Sequence, residues 1–468
     1  MRCGICAAFA GLLALGCKVG PDFAPPRPGM PADWTDAAQQ PGSAVTPGPA
    51  ADLGRWWERF GDPALTSLVD QALQANPGLA AAEANLRQAR ALRGVAAGGL
   101  WPAVNATASA QRVGGPAYAS QSGSGNLFMA GLDAVWELDF FGGVRRGVEA
   151  ADANTQAALE NLRDVQVSLA AEVVLAYMQL RGNQLQLETA RHNIGIQQHT
   201  LDIVSRLHKA GLDSGLDEAN AQSTLASTEA QVPVYETAVR QAIYALGVLL
   251  GQHPGSLLER LSPGGDLPPL PGPITAGLPS DLLRRRPDVR MAEAQLHSAT
   301  AQIGVAEAQL FPQFSLAGSV NWVASQSGAW LTRTNRSFAV GPQANWSIFQ
   351  GGAAVSAMRA QEAARDAALA NYQTAVLGAI QDVENALVAF GQERIHCQSL
   401  EQAVAADHKA VDLSQILFQA GQTDFLTVIT AQRTLYTDDS ALALSRQNLE
   451  TDLVALYKAL GGGWETGS

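Results

Sequence analysis

The sequence predicts a mainly α-helical fold with a smaller β component, in which long coiled-coil helices and a β-hairpin each occur twice. The distribution of the 23 prolines is the first observation, because none lies between Pro116 and Pro233 or after Pro342. Long helices need such proline-free stretches, which here are rich in Ala, Leu, Gln and Glu. An internal repeat and a seven-residue hydrophobic period are the second and third observations.

Composition excludes several classes of protein. Hydrophobic residues make up 47% of the 468 residues and charged residues only 16%, which excludes intrinsic disorder. A membrane-spanning helix needs about 18 or more consecutive apolar residues. No run of that length occurs, so a polytopic helical membrane protein is excluded as well. The formal net charge of −12 argues against nucleic acid as a partner.

The first residues have the features of a secretory signal peptide. Arg2 precedes a short apolar stretch, so residues 1–16 are predicted to be a signal peptide. The end of this stretch, LALGC (13–17), resembles the cleavage site of bacterial lipoproteins, in which Cys17 would become the acylated N-terminus. An ordinary cleaved signal with an incidental cysteine is the alternative. Residues 17–64 are then a tether segment that the acyl chains hold to outer-membrane lipid.

An internal repeat with a constant shift of 210 residues organises the rest of the chain. Residues 76–104 align with residues 286–314, and 12 of these 29 positions are identical. The predicted domains are a first repeat (65–252), a Pro-rich linker (253–279), a second repeat (280–463) and a short tail (464–468).

Each repeat is predicted to contain a helix, a hairpin, a long helix and a return helix. The last three are expected at 103–140, 142–209 and 214–251 in the first repeat and at 313–349, 351–419 and 424–460 in the second. Apolar residues at successive sevens, including Val383, Phe390 and Cys397, predict left-handed coiled-coil packing with Cys397 in the seam. Pro233, whose repeat mate is Ala443, is expected to kink the first return helix.

The hairpins alternate between apolar and polar side chains. In the last predicted strand Phe338, Val340 and Trp346 share one face, and Ser337 and Gln343 share the other. Alternating strands of this length suit a membrane β-barrel, although a sheet with one solvated face has the same pattern. Four strands cannot close a barrel, and an open edge in lipid leaves backbone groups unpaired. The chain is therefore expected to associate with copies of itself.

Several motifs together resemble one known family. They are LALGCKVGPDF (13–23), RWW (55–57), FGDP (60–63), WELDFFG (136–142), LLRRRPDVR (282–290), AG (420–421), AQR (431–433) and LYKALGGGW (456–464). The chain resembles the TolC-like outer-membrane factors, in the branch that serves resistance–nodulation–division efflux pumps. The resemblance implies a homotrimer whose strands form a transmembrane β-barrel and whose helices form a periplasmic α-barrel, without any cofactor.

The same resemblance implies partners and a function. A periplasmic adaptor (membrane fusion) protein and an inner-membrane resistance–nodulation–division pump would complete the assembly. This chain would then passively conduct small molecules such as drugs or metal ions to the exterior. A conduit for type I protein secretion and a non-conducting coiled-coil lipoprotein scaffold are the alternatives, and the alternating hairpins argue against the scaffold.

Site residues also follow from the resemblance, in which helix–turn–helix tips close the tunnel and receive the adaptor. The residues expected to contact the adaptor are Lys209, Ala210, Gly211, Leu212, Gln419, Ala420, Gly421 and Gln422. The candidates for the periplasmic gate are Asp213, Asp217, Thr423 and Asp424. A helix cap is the alternative role for Asp424. The candidates for the barrel lumen are Asp133, Glu137 and Asp139, which would favour cations or simply be solvated.

Catalysis has no basis in the sequence. Motifs for nucleophilic catalysis, phosphate binding and metal ligation are absent, so an enzyme, including a periplasmic lipoprotein enzyme, is disfavoured. His192 and His199 lie seven residues apart without a third ligand and are interpreted as solvated histidines. We therefore expect no catalytic, cofactor-binding or metal site.

Overall fold

The computed structural model describes residues 17–31, 33–35, 45–46, 53–114, 124–211, 214–272, 274–275, 279–328 and 331–464. The predicted signal peptide and the tip residues Leu212 and Asp213 lie outside these described residues. None of the helices within the described ranges combines the length and the apolar character that crossing a membrane requires.

Helices and strand pairs follow one another along the chain, and one strand pair occurs in each repeat. The longer helices are α1 (Pro63–Ala75), α2 (Pro77–Gly98), α3 (Gly143–Lys209), α4 (Gly215–Glu229), α5 (Val232–Leu249), α6 (Pro287–Ala308), α7 (Ala353–Gln419) and α8 (Phe425–Ala459). The strands of the larger sheet are β1 (Ala103–Gly114), β2 (Ser124–Leu138), β3 (Gln313–Ala324) and β4 (Arg336–Asn345). Short helical turns occur at Trp56–Phe60, Leu258–Leu261, Pro279–Asp281, Leu282–Arg285 and Arg333–Asn335. A short parallel pair joins Val45–Thr46 to Ile274–Thr275.

The two repeats contain the same elements at equivalent positions. α2 and α6 each have 22 residues, and α3 and α7 each have 67. The indole N–H of Trp136 donates to the carbonyl oxygen of Leu100 at 3.0 Å, and that of Trp346 donates to Leu310 at 3.1 Å. The predicted fold class, with long helices and a four-stranded sheet in two repeats, is confirmed.

β1, β2, β3 and β4 form one antiparallel sheet in chain order, so the two hairpins join through β2 and β3. Phe338 lies opposite Val320, and Val320 lies opposite Leu132, so these apolar side chains share one face. On the other face Ser319 lies opposite Asp133. The predicted alternation therefore gives the sheet one apolar face and one polar face.

The outer edges of this sheet are open. In the described part of the chain, β1 pairs only with β2 and β4 pairs only with β3. Phe338 and Val340 on β4 are each 74% exposed, so the apolar face is uncovered next to that edge. Open strand edges can pair with strands of another chain, and large exposed apolar patches mark interaction sites. Both features indicate that the sheet is completed by contacts outside the single chain.

The return segments of the two repeats differ. α8 continues over 35 residues, whereas the corresponding segment of the first repeat ends at Glu229 and restarts at Val232. Pro233 is the second residue of α5, where its missing N–H removes no helical hydrogen bond. The irregularity expected at Pro233 is therefore a short break just before it, and Ala443 lies inside the continuous α8.

The heptad seam along α7 is buried as predicted. Val383, Phe390, Cys397, Val404 and Val411 lie at successive sevens, and none is more than 7% exposed. Burial raises the pKa of the Cys397 thiol, which disfavours the reactive thiolate. Cys397 therefore serves as a small packing residue.

An aromatic core holds the N-terminal segment against the end of α8. Trp56 stacks on Tyr457 with 4.8 Å between ring centroids, and Trp57 is fully buried beside it. Asp62 caps α1 and also accepts a hydrogen bond from the Tyr177 hydroxyl at 2.5 Å. One aspartate therefore fixes both the start of α1 and a tyrosine of α3.

The chain divides into two compact units. One unit comprises Met1–Arg27, Ala84–Glu160 and Met291–Thr374 and contains the four-stranded sheet. The other comprises Pro28–Glu83, Asn161–Arg290 and Ala375–Ser468 and contains the C-terminal parts of α3 and α7. The boundaries fall within α2, α3, α6 and α7.

Glu450 on α8 is a buried carboxyl group and is only 2% exposed. Its Oε2 atom has no hydrogen-bond partner within the described residues. Burial raises the pKa of Glu450 from its ordinary 4.5 to about 8. The folded protein therefore holds this group protonated over a pH range in which the unfolded chain releases the proton.

Replacing Glu450 with Gln is expected to raise the thermal unfolding midpoint at pH 8 and to change it little at pH 4. The stability contribution of Glu450 is full below its unfolded pKa and is lost as the pH rises towards its folded pKa, at roughly 1.4 kcal/mol per pH unit. Glutamine cannot lose a proton and escapes this loss. Circular dichroism melts across this pH range measure the effect, and Glu236→Gln at a half-exposed side chain on α5 is the control. Parallel pH profiles for wild type and Glu450→Gln would contradict the assignment.

Candidate functional site

The two long helices end in the same turn. α3 ends at Lys209 and α7 ends at Gln419, and Ala-Gly follows each of them. Gly211 and Gly421 have φ angles of 71° and 69°, in the left-handed region that favours glycine. Each glycine N–H donates to the carbonyl oxygen three residues earlier at 2.9 Å. The glycines therefore reverse the chain at the two predicted tips.

The return helices begin with capping side chains at equivalent positions. Ser214 Oγ accepts a hydrogen bond from the N–H of Asp217 at 3.3 Å. Asp424 Oδ1 accepts from the hydroxyl of Thr427 at 2.6 Å and from its N–H at 3.0 Å, and these bonds lower the pKa of Asp424. The Thr423 hydroxyl also donates to Thr427, at 3.1 Å. The gate candidates in the described residues thus lie within two capping turns.

A hydrophobic cluster joins the two helical hairpins beside their tips. It contains buried side chains from α3, α4 and α8, namely Val204, Ala221, Phe425, Val428 and Ile429. Leu201 and Phe418 pack against it, and the rings of Phe418 and Phe425 lie 5.5 Å apart. The two tips are therefore held together by apolar packing.

Two polar contacts also cross between the hairpins. The Gln432 side-chain amide donates to the Thr200 hydroxyl at 2.7 Å, and the Arg433 guanidinium donates to the Thr224 hydroxyl at 3.1 Å. Gln432 is only 3% exposed. Gln432 and Arg433 belong to the AQR motif (431–433), whose role the sequence alone does not indicate. Gln432 lies one helical turn after the apolar Val428, and this spacing was the available indication of an inward-facing position.

The outer surface of the tips is exposed and partly apolar. The predicted adaptor-contact residues in the described part of the chain are all exposed, namely Lys209, Ala210, Gly211, Gln419, Ala420, Gly421 and Gln422. Leu216 and Leu426 occupy equivalent positions in the first turns of α4 and α8 and are 68% and 61% exposed. Sequence reasoning did not select these two leucines, since an apolar residue early in a helix gave no indication of exposure.

Residues 18–23, which follow Cys17, pack closely against the start of α3, and we call their position the fitted site. The guanidinium of Arg146, which is 1% exposed, donates to the carbonyl oxygens of Val19 at 2.9 Å and Gly20 at 2.8 Å. Gly20 has a φ angle of 86°, and a Cβ atom there would lie 2.5 Å from Gly304 Cα. Only glycine fits this contact, and Cys17 just before it is exposed.

Glu149 joins this segment to α3 and α6. Burial would raise the pKa of Glu149, but hydrogen bonds from Lys18, His297 and Arg146 outweigh burial and lower the pKa to about 2. Phe23 stacks on His297 with 4.3 Å between ring centroids. The residues that follow the lipidation candidate are therefore fixed by charge-assisted hydrogen bonds and aromatic stacking.

The lumen candidates occupy two different environments. Asp133 and Glu137 lie on the polar face of β2, where the Asn105 amide donates to Asp133 at 3.1 Å. Asp139 lies just beyond the end of β2, and its carboxylate accepts backbone N–H bonds from Val144 at 3.2 Å and Arg145 at 2.9 Å. Asp139 therefore caps the start of α3.

Similar proteins are found by sequence and by structure. The family model for outer membrane efflux proteins matches residues 68–252 and 278–462. The chain is 36% identical to the pyoverdine export outer membrane protein OpmQ of Pseudomonas aeruginosa, over 89% of both chains. It is 31% identical to the solvent efflux pump outer membrane protein SrpC of Pseudomonas putida, over 97% of both. A solved structure of the outer-membrane channel OprN matches 96% of this chain and 100% of that chain, with 36% identity and a TM-score of 0.89.

Phe425→Ala is expected to destabilise the tips by about 3 kcal/mol, because removal of a buried ring leaves a cavity in the cluster. The measurements are the thermal unfolding midpoint and the rate of proteolytic cleavage at the tips. Leu426→Ala is the matched control, since the neighbouring leucine is 61% exposed whereas Phe425 is 3% exposed. Equal effects of the two substitutions would contradict a role for the cluster.

Proposed function

Because the chain belongs to the outer membrane efflux protein family, we propose that three copies form the exit duct of a tripartite efflux pump. The chain is an outer-membrane efflux channel and not an enzyme, and it extends from the bacterial outer membrane into the periplasm. Its proposed partners are a periplasmic adaptor protein and an inner-membrane resistance–nodulation–division pump. Conduction through this chain is passive, and the pump supplies the energy.

The open four-stranded sheet is the observation that carries the proposal. Each unpaired backbone group in hydrocarbon costs several kcal/mol, so the free edges of β1 and β4 need partners. Pairing β1 of one copy with β4 of the next is a head-to-tail contact that closes into a ring. Three copies supply enough strands for a membrane barrel, with the apolar face towards lipid and the polar face towards the lumen. A non-conducting scaffold would leave this sheet without a use.

Cys17 is proposed to carry the acyl chains that attach the protein to the outer membrane. The exposure of Cys17 and the fitted site for residues 18–23 support this assignment. Trp101, just before β1, and Trp346, just after β4, are 73% and 54% exposed. Exposed tryptophans at strand ends are typical of the interface between lipid and water.

The tips are proposed to form the gate and the adaptor-docking surface. Rotational symmetry would bring Asp217, Thr423 and Asp424, together with Asp213, near their copies, so the closed constriction would be lined by carboxylates. Leu216 and Leu426 join the predicted adaptor-contact residues, because exposed apolar side chains at equivalent positions suit a protein partner.

The proposed substrates are small molecules such as drugs or metal ions. The names of two relatives refer to pyoverdine export and to solvent efflux, which supports export of small molecules rather than secretion of proteins. Selection among them is assigned to the inner-membrane pump. Asp133 and Glu137 on the polar face of β2 would favour cations in the lumen.

Purified full-length protein is expected to form channels in planar bilayers, and Asp424→Ser is expected to raise their single-channel conductance. Serine caps the equivalent position 214, so this substitution removes the charge and keeps the cap. Asp424→Ala removes both, and we expect the same conductance change with a loss of about 1 kcal/mol of stability.

The outcomes of this experiment separate the two roles of Asp424. Wild-type conductance in Asp424→Ser, with destabilisation in Asp424→Ala, would leave Asp424 as a cap only. Folded oligomers that form no channels would overturn the proposed function.

Combined Leu216→Ser and Leu426→Ser substitutions are expected to reduce the yield of adaptor crosslinked to the tips about tenfold. Each substitution removes apolar area worth about 1 kcal/mol or more on burial. Leu444→Ser, at a side chain of α8 that is 48% exposed, is the control for a surface leucine away from the tips. Crosslink yields that match between the double variant and the control would remove these leucines from the docking surface.

A further inference from the structure

A cavity of about 520 Å³ lies beneath the linker that joins the two repeats. Side chains from α3, α7 and α8 form its walls, and linker residues 265–268 and 270 also line it. It is separate from the capped tips and from the fitted site after Cys17. Volumes of this order are typical of sites for small molecules.

Glu450 lines this cavity and carries a polar atom without a hydrogen-bond partner. The side chain is 2% exposed, and Oε2 has no hydrogen-bond partner within the part of the chain that the structure describes. A buried carboxyl oxygen without a partner is costly, so a ligand that donates a hydrogen bond there gains the interaction that the protein leaves unmade.

The charges around the cavity favour a cation. Besides the protonated Glu450, its lining includes three carboxylates, Glu188, Asp266 and Glu401, and two guanidinium groups, Arg394 and Arg446. Arg446 is already paired with Glu401, at 3.1 Å between Nη2 and Oε1. The carboxylates outnumber the guanidinium groups, so a positive charge inside is attracted and a negative one is repelled.

The cavity also has an apolar wall. Leu185 of α3, Leu267 of the linker and Leu449 of α8 line it. Leu449 is 5% exposed and therefore already faces the interior. A ligand with an apolar body would bury that body against these leucines while its polar head reaches Glu450.

The first repeat shows that the fold does not require an acid at this position. Arg191 and Glu236 pair at 2.9 Å where the second repeat pairs Glu401 with Arg446, so the signs are exchanged. The equivalent of Glu450 in the first repeat is Arg240, which is exposed. At this position, therefore, only the second repeat has a buried acid.

We propose that this cavity binds a small organic amine with an apolar body, whose ammonium group donates a hydrogen bond to the carboxyl group of Glu450. The charge of the amine is balanced by Glu188, Asp266 and Glu401, and its body packs against the leucines. The site does not depend on conduction through the channel, so failure of either proposal leaves the other standing.

Isothermal titration calorimetry on the detergent-solubilised full chain tests the proposal with three probes that share one aromatic body. We expect 1-naphthylmethylamine to bind at least tenfold more tightly than 1-naphthalenemethanol, and 1-naphthoate to bind more weakly still. Glu450→Gln keeps the shape of the side chain and is expected to lower the affinity for the amine at least tenfold. Glu236→Gln makes the same substitution outside the cavity and should keep wild-type affinity.

A thermal melt supplies a second readout of the same site. Saturating amine is expected to raise the unfolding midpoint of the wild type and to leave that of Glu450→Gln unchanged. Equal affinity of amine and alcohol, undiminished amine binding in Glu450→Gln, or no binding to the wild type would overturn the proposal.

Discussion

The unpaired backbone groups at the two outer edges of the four-stranded sheet are the constraint on which the rest of the proposed architecture depends. Lipid offers no hydrogen bonds, so β1 and β4 cannot remain open edges in a membrane. The apolar face beside β4 also needs to be covered by lipid or protein, because Phe338 and Val340 are mostly exposed. We therefore propose that a single chain supplies one segment of a larger ring.

Duplication of one unit explains why each repeat supplies one β-hairpin and one long helix. The two copies keep the features that the backbone geometry demands, such as Gly211 and Gly421 with positive φ and the indole bonds of Trp136 and Trp346. Charges are freer to change, as the exchanged pair Arg191–Glu236 and Glu401–Arg446 illustrates. Divergence of the side chains lets equivalent positions take different roles within one architecture.

Much of the fold was accessible from local patterns in the sequence. Proline placement predicted α3 and α7, the seven-residue period predicted the burial of Val383 and Phe390, and the alternation predicted the two faces of the sheet. Contacts between distant segments were not accessible. The residues around Arg146 in the sequence do not indicate that its guanidinium donates to the carbonyl oxygen of Val19. Similarly, the residues around Asp139 do not distinguish a helix cap from a pore residue. Such roles depend on which elements meet, and that is decided by tertiary packing.

Native mass spectrometry of the protein extracted from outer membranes tests most directly the claim that open sheet edges are closed by further copies. The account predicts a complex of three chains, stable in detergent, with no appreciable population of folded single chains. A folded, membrane-extracted monomer would contradict it, because β1 and β4 would then have remained open in lipid.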